Sequence, residues 1–280
     1  MKKTKFSEVN DFQASENYIV LKNDKDAEYY SEMARKLQIS ILVLDNITIS
    51  QRNRIQESIN NKNIDLLSPH LILEKLRQDY YDLNQFVNGF KDVLTSNDRK
   101  KVMLVSRVTL RDKTIDKLKK SLSSSRNEYE IICLESTDLN LLKWAAHDRR
   151  VDYLSLDIRN SDSIDKALCS LMKQNNKFFE IVLSSLLNSK NEKEFGTALR
   201  NGKKIMDKIT SNNTPYILTI KPNSPYQLRT SNQLRYLGEL IGFPFRKTKD
   251  CIFHNQLTTI VKNTTKLNDS HLFEGIREGL

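Results

Sequence analysis

The run Ile41-Leu42-Val43-Leu44 is apolar at four consecutive positions. A strand with one wet face alternates polar and apolar residues, so an unbroken run belongs to a strand covered on both faces, the usual condition of a parallel sheet. Six further segments rich in β-branched and aromatic residues accompany it. Together they predict strands over 18–21, 39–45, 101–108, 129–134, 153–156, 178–183 and 216–220. Helical periodicity fills the intervals. From residue 101 onward the spacing is one strand and one helix per roughly 25–40 residues, as a (β/α) barrel of ~250 residues requires. The expected architecture is therefore a single TIM-like α/β barrel over residues 1–280.

Local signals refine this outline. Ser224-Pro225-Tyr226-Gln227 and Thr230-Ser231-Asn232-Gln233 each carry a hydroxyl followed three residues later by Gln, the pattern of a capping box. Asp26 is expected to cap a helix ahead of Ala27, Met33 and Leu37. Ser68-Pro69 opens an amphipathic run through Leu71, Leu76, Tyr80, Leu83, Val87 and Leu94, longer than one barrel helix. That run predicts a helical insertion within 47–99, and residues 267–280 read as a weakly ordered tail.

Composition removes several function classes. No two of the 7 glycines are separated by a single residue, and no Gly-Lys-Ser/Thr triplet occurs, so the common dinucleotide and phosphate loops cannot be written. Cys133, Cys169 and Cys251 lie too far apart for a C-x-x-C pair and give no disulfide framework, which fits a reducing, cytoplasmic home. No apolar window suits a membrane span. The histidines at 70, 147, 254 and 271 stand alone rather than in metal-ligand spacing. His147-Asp148 reads as the end of a helix, Asp24 and Asp26 as a helix start, and Glu180 and Asp157 as carboxylates near strand ends that could face a barrel mouth.

The positive features are electrostatic. Lys+Arg 45 against Asp+Glu 35 leaves a net charge of +10, which makes a polyanion the first partner to consider, nucleic acid ahead of an anionic membrane. Arg200, Lys204 and Lys208 recur at i, i+4 and i+8, away from the apolar stripe of Phe195, Leu199, Met206 and Ile209. Lys221 and Arg229 flank the helix start at Ser224, where free backbone N–H groups favour an anion. Arg107, Arg111 and Lys113 lie at and just beyond the end of the strand at 101–108. Aromatic residues are not interleaved with these cations, so recognition of backbone and shape is expected rather than base stacking.

The segment Ala145-Ala146-His147-Asp148-Arg149-Arg150-Val151-Asp152-Tyr153-Leu154 resembles the A-x-x-x-x-R-V-D-h-L stretch (h apolar) of ribonuclease P protein component three, the archaeal counterpart of the eukaryal thirty-kilodalton subunit. Other blocks agree in order: Arg107-Val108-Thr109-Leu110, Phe179-Glu180-Ile181 and Pro225-Tyr226-Gln227-Leu228-Arg229, then the stretch 255–266 and Glu274-Gly275-Ile276-Arg277. One departure is Thr219-Ile220-Lys221-Pro222-Asn223, where the family usually carries a small S-S-G-A-like run. The resemblance implies a barrel similar to that of PHP-type phosphoesterases but without their metal-binding histidines. It further implies a protein cofactor of an RNA enzyme that removes the 5′ leader from precursor tRNA, acting with a small RRM-like subunit. Mg²⁺ is then expected in the catalytic RNA, with no cofactor in the protein. Arg107, Lys113, Arg229 and Lys262 lie at matched blocks and are the expected RNA contacts; charge alone adds Arg200, Lys204 and Lys221. Two readings compete: an autonomous metal-dependent phosphoesterase or nuclease using Asp24, Asp26, His147 and Glu180, and an assembly protein that touches mainly other subunits.

Overall fold

Each of the seven predicted strands is present in the computed structural model, which describes residues 14–60, 65–77, 80, 82–95, 101–244 and 250–267. They are β1 (Ala14–Val20), β2 (Ile39–Asp45), β4 (Val102–Leu110), β5 (Ile131–Glu135), β6 (Tyr153–Asp157), β7 (Phe178–Val182) and β8 (Tyr216–Thr219). An eighth, the two-residue β3 (Leu66–Leu67), is too short to show a sequence period. Among the described residues the strands pair in parallel, in the order β1-β2-β4-β5-β6-β7-β8 with β3 beside the start of β4, and one isolated antiparallel bridge joins Ile47 to Arg107. Strand β1 begins earlier than the apolar pattern indicates because Ser15 and Glu16, though polar, are buried.

Alternation along each strand sorts the core into two layers. Leu42, Leu44, Leu104, Ile132, Leu154, Phe179 and Leu218 face outward against the surrounding helices, among them α1 (Asp24–Leu37), α5 (Ile115–Ser125), α6 (Leu139–His147), α7 (Lys166–Gln174), the single turn α8 (Ser184–Leu187) and α9 (Glu192–Ser211). The alternate residues Ile41, Val43, Met103, Val105, Ile131, Cys133, Tyr153 and Ile217 face inward, toward the strands' N-terminal ends. That end of the barrel is closed by α3 (Pro69–Leu76), α4 (Leu83–Thr95) and α11 (Asn255–Leu267), through Ile72, Phe86, Phe90, Leu257 and Ile260. The expected insertion is therefore built into the fold. Its first part supplies α2 (Ile49–Asn60) and β3, and the run after Ser68 breaks into two helices that plug the barrel floor.

The sheet is interrupted at two seams, and a buried carboxylate serves each. Alongside β4, β3 pairs residues 102–103 and β5 pairs 107–110, so 104–106 have no strand on that side. Arg52 on α2 donates to Leu104 O (3.2 Å), Ser106 N donates to Glu130 (2.6 Å), and Arg52 and Glu130 pair with each other at 2.8 Å, both wholly buried. No ladder joins β8 to β1 among the described residues. There Glu16 accepts from the Thr219 hydroxyl and from the backbone N–H groups of Ile220 (3.2 Å) and Lys221 (3.3 Å). Side chains thus satisfy backbone groups that a strand would otherwise bond.

Two cap expectations need correction. Asn23, not Asp26, caps α1; Asp26 lies one turn in and accepts from Lys22 N at 2.8 Å. Thr230 and Gln233 form both halves of a capping box on α10 (Ser231–Leu240), whereas the Ser224 side chain makes no cap bond and only a single 3-10 turn, Pro225–Gln227, follows it. The tail at 268–280, with His271, lies outside the described residues.

Candidate nucleic-acid interface

The inward positions at the strands' C-terminal ends are polar, and they are occupied by one another. Met103, Val105, Arg107 and Thr109 share the inner face of β4, which carries the Arg107 guanidinium to the middle of the barrel. There it forms a two-pronged pair with Glu180 of β7 (2.5 and 2.7 Å) and donates to Thr109 (3.1 Å), with Asp45 of β2 at 3.5 Å. Arg107, Asp45 and Glu180 are all at most 2% exposed. Burial alone would lower the Arg107 pKa, but the Glu180 carboxylate outweighs it and holds the guanidinium well above its ordinary value. Burial raises the Asp45 pKa, against the opposing pull of Arg107.

Above this layer lies Tyr18, with the Arg107 guanidinium and the Lys221 ammonium each 4.1 Å from its ring centroid. Its hydroxyl donates to Glu135 (2.8 Å) and accepts from Arg111. At the rim Glu135 also meets Arg111 (3.0 Å) and Lys221 (3.5 Å); these partners hold its carboxyl below the usual range although burial pushes it up. Three cations, Arg107, Arg111 and Lys221, here face three carboxylates, Asp45, Glu135 and Glu180. Within this set the charges match in number and are met inside the protein.

The residues expected to touch RNA do not converge. Arg107 is corrected most sharply: its side chain lies inside the barrel, because alternation along β4 points it inward and Glu180 balances its charge there. Lys113 is exposed in the turn between β4 and α5. Lys221 is partly covered at the rim, with φ +53, and Arg229 spends one terminal nitrogen on Tyr226 O and Leu228 O (3.1 and 3.0 Å). Arg200 and Lys204 are exposed on α9, while Lys208, in line with them, donates to Ser161 O and Ile164 O and serves the fold. Lys262 lies on α11 at the opposite end of the barrel. Beside it stand Arg149 and Lys266, which the sequence pattern alone did not single out; the i, i+4 spacing of Lys262 and Lys266 was the signal that could have found them.

The hydrolytic constellation fares no better. Glu180 is committed to Arg107, and exposed His147 ends α6, which returns from the barrel mouth to the opposite end. Asp26 belongs to the start of α1, and the Asp24 side chain lies outside those described. Among the described residues no cluster of three His, Cys, Asp or Glu side chains could hold a metal ion, and no helix is long and apolar enough to cross a membrane.

Fold and lining together define a TIM-type α/β barrel whose mouth carboxylates are tied up by its own cations. The chain belongs to the family described as RNase P subunit p30, which it matches over residues 42–268. Ribonuclease P protein component 3 of Natronomonas pharaonis is 25% identical over 142 residues, which is 51% of this chain and 58% of that relative. A chain from the cryo-EM structure of archaeal ribonuclease P with mature tRNA superposes with a TM-score of 0.63 at 16% identity, covering 93% of this chain and 96% of that one. A Xaa-Pro dipeptidase, solved with methionine in its active site, reaches 0.54 at 11% identity, covering 90% and 76%. Both are likenesses of fold.

Proposed function

We propose that this chain is a protein subunit of ribonuclease P that assists RNA-catalysed removal of the 5′ leader from precursor tRNA by binding the catalytic RNA. The match to the subunit family over residues 42–268 carries the reading. The internal pairing of Arg107 with Glu180 supports a scaffold rather than a hydrolytic role, since the mouth carboxylates are already bound. The surplus of cations over acids acts by lowering repulsion between RNA helices and favouring the RNA fold that holds Mg²⁺; the protein contributes no nucleophile. Lys113, Arg200 and Lys204 present open cationic surface for such contact, with Lys221 and Arg229 as partly engaged neighbours. A small RRM-like subunit is the expected protein partner, precursor tRNA is met indirectly, and the assembly is cytoplasmic.

Reconstitution tests this. Precursor-tRNA cleavage by the RNA with its other protein parts is expected to fall at limiting Mg²⁺ when this chain is left out, and to recover when it is restored. Unchanged cleavage without it would reject the assignment.

A further inference from the structure

A cleft of about 710 Å³ opens at the end of the barrel opposite its mouth. Three stretches meet there: α11 with Lys262 and Lys266, the approach to β6 with Arg149 and Asp152, and the approach to β7 with Asn176 and Lys177. Among the described residues Arg149, Lys262 and Lys266 form no ion pair. The nearby carboxylates are already taken, Asp148 by Arg150 (2.7 Å) and Asp152 by Arg126 (3.2 Å). Lys177 is turned inward, donating to Ala145 O (2.8 Å) and Asp148 O at the end of α6, so it adds charge beneath the floor without being free to move.

This arrangement works against the fold. Lys262 and Lys266 stand at i, i+4 on one helix, a spacing at which like charges repel. Burial lowers the Lys266 pKa, and Lys262, Arg126 and Arg149 lower it further. Burial also pushes Lys177 down to about 8, with Asp152 and Asp148 opposing and Lys262 adding to the fall. A cluster of cations whose neighbouring carboxylates, Asp148 and Asp152, are already paired elsewhere favours an anion from outside, and the size of the cleft narrows the choice. The cleft falls within the ~300–1,000 Å³ range of sites for organic ligands, far more than one phosphate fills. Among the described residues its one aromatic, Phe178, lies edge-on to Tyr153 with ring centroids 6.3 Å apart, so it is packed rather than offered for stacking.

We propose that this cleft anchors the sugar-phosphate backbone of RNA, with Arg149, Lys262 and Lys266 as its phosphate contacts. The inference rests on the RNA-binding reading above and deepens it, placing a principal contact at the barrel floor rather than at the mouth where the known chemistry of such barrels gathers.

The test uses the full chain and a fluorescein-labelled ribonuclease P RNA transcript, followed by anisotropy at several KCl concentrations. The triple variant Arg149→Ala/Lys262→Ala/Lys266→Ala is expected to bind at least about ten-fold more weakly near 0.1 M salt. Its salt slope should shrink by about 2, at roughly 0.7–0.9 for each phosphate no longer neutralised. Lys262→Arg/Lys266→Arg should retain binding, and Lys262 and Lys266 should become protected from acetylation when RNA is added. Without RNA the triple variant should melt no lower than wild type, since it removes repulsion. If wild type binds RNA and the triple variant matches its affinity and slope, the cleft assignment fails while the RNA-binding reading stands; if wild type binds no RNA at any salt, both fail. Protection of the two lysines by an acidic protein but not by RNA would overturn the proposal in favour of a protein interface.

Discussion

Arg107 shows how much one residue's direction decides. Its position at the end of a predicted strand suggested a surface cation, yet the period of two in Met103, Val105, Arg107 and Thr109 places it on the inner face. Register was legible there; that a carboxylate from β7 would stand opposite was not, because Glu180 lies 73 residues away and only barrel closure brings it near. A charge with no exposure cannot lose its partner cheaply. Arg107→Ala leaves Glu180 and Asp45 buried without their cation, and it is expected to lower stability by about 3–5 kcal/mol, read as a fall in the urea midpoint at unchanged m-value. Arg107→Met combined with Glu180→Leu should recover part of that loss, because those two charges leave together while Asp45 stays buried with the Thr109 hydroxyl and is pushed further toward its neutral form. Equal instability of the double and single variants would mean that the pair does not share its burial cost in this way.

At the scale of the element, α9 gives the cleanest contrast. Of the apolar stripe read from the sequence, Met206 and Ile209 are buried, Leu199 is partly so and Phe195 is exposed, while Ile205, outside that reading, joins the buried face of α9. The two glycines within it look alike in sequence and differ in surroundings. A Cβ at Gly196 would meet nothing within 4 Å, whereas one at Gly202 would lie 2.7 Å from Cγ2 and 3.1 Å from Cβ of Ile241, which is itself buried. Gly196→Ala is therefore expected to stabilise by about 0.5–1 kcal/mol through helix propensity. Gly202→Ala should destabilise by about 1–3 kcal/mol, because α9 must move off the residue that follows α10. Thermal melts of the two variants should shift in opposite directions, and a gain at Gly202 would show that this contact relaxes freely. The same dependence on distant neighbours hid the fate of the basic rail: spacing put Arg200, Lys204 and Lys208 on one face, but only the turn at Ser161 and Ile164 reveals that Lys208 is structural.

The whole barrel was legible from its apolar runs because both faces of a parallel strand demand them. Its closure was not, since the seams depend on polar residues that no period marks. Glu16 is the clearest case, a wholly interior carboxylate between β8 and β1 that stands in for a missing ladder. Burial raises its pKa from 4.5 to about 7, even though Thr219, Ile220, Lys221 and Tyr18 all donate to it and pull the other way. A carboxyl whose pKa is higher folded than unfolded contributes its full stability below the unfolded value, and that contribution drains away as pH rises through the folded one. Between about pH 4.5 and pH 7 Glu16 ionises in the unfolded chain while the fold keeps it protonated, so stability falls across that window and levels off once the seam itself carries the charge. Glu16→Gln cannot ionise, so whatever its absolute stability, its unfolding free energy lacks this slope. The difference between wild type and variant should fall by roughly 3 kcal/mol from pH 5 to pH 8, at 1.36 kcal/mol per pKa unit. Parallel pH profiles of the two proteins in urea unfolding would show that Glu16 is already ionised throughout, and that the open seam tolerates its charge.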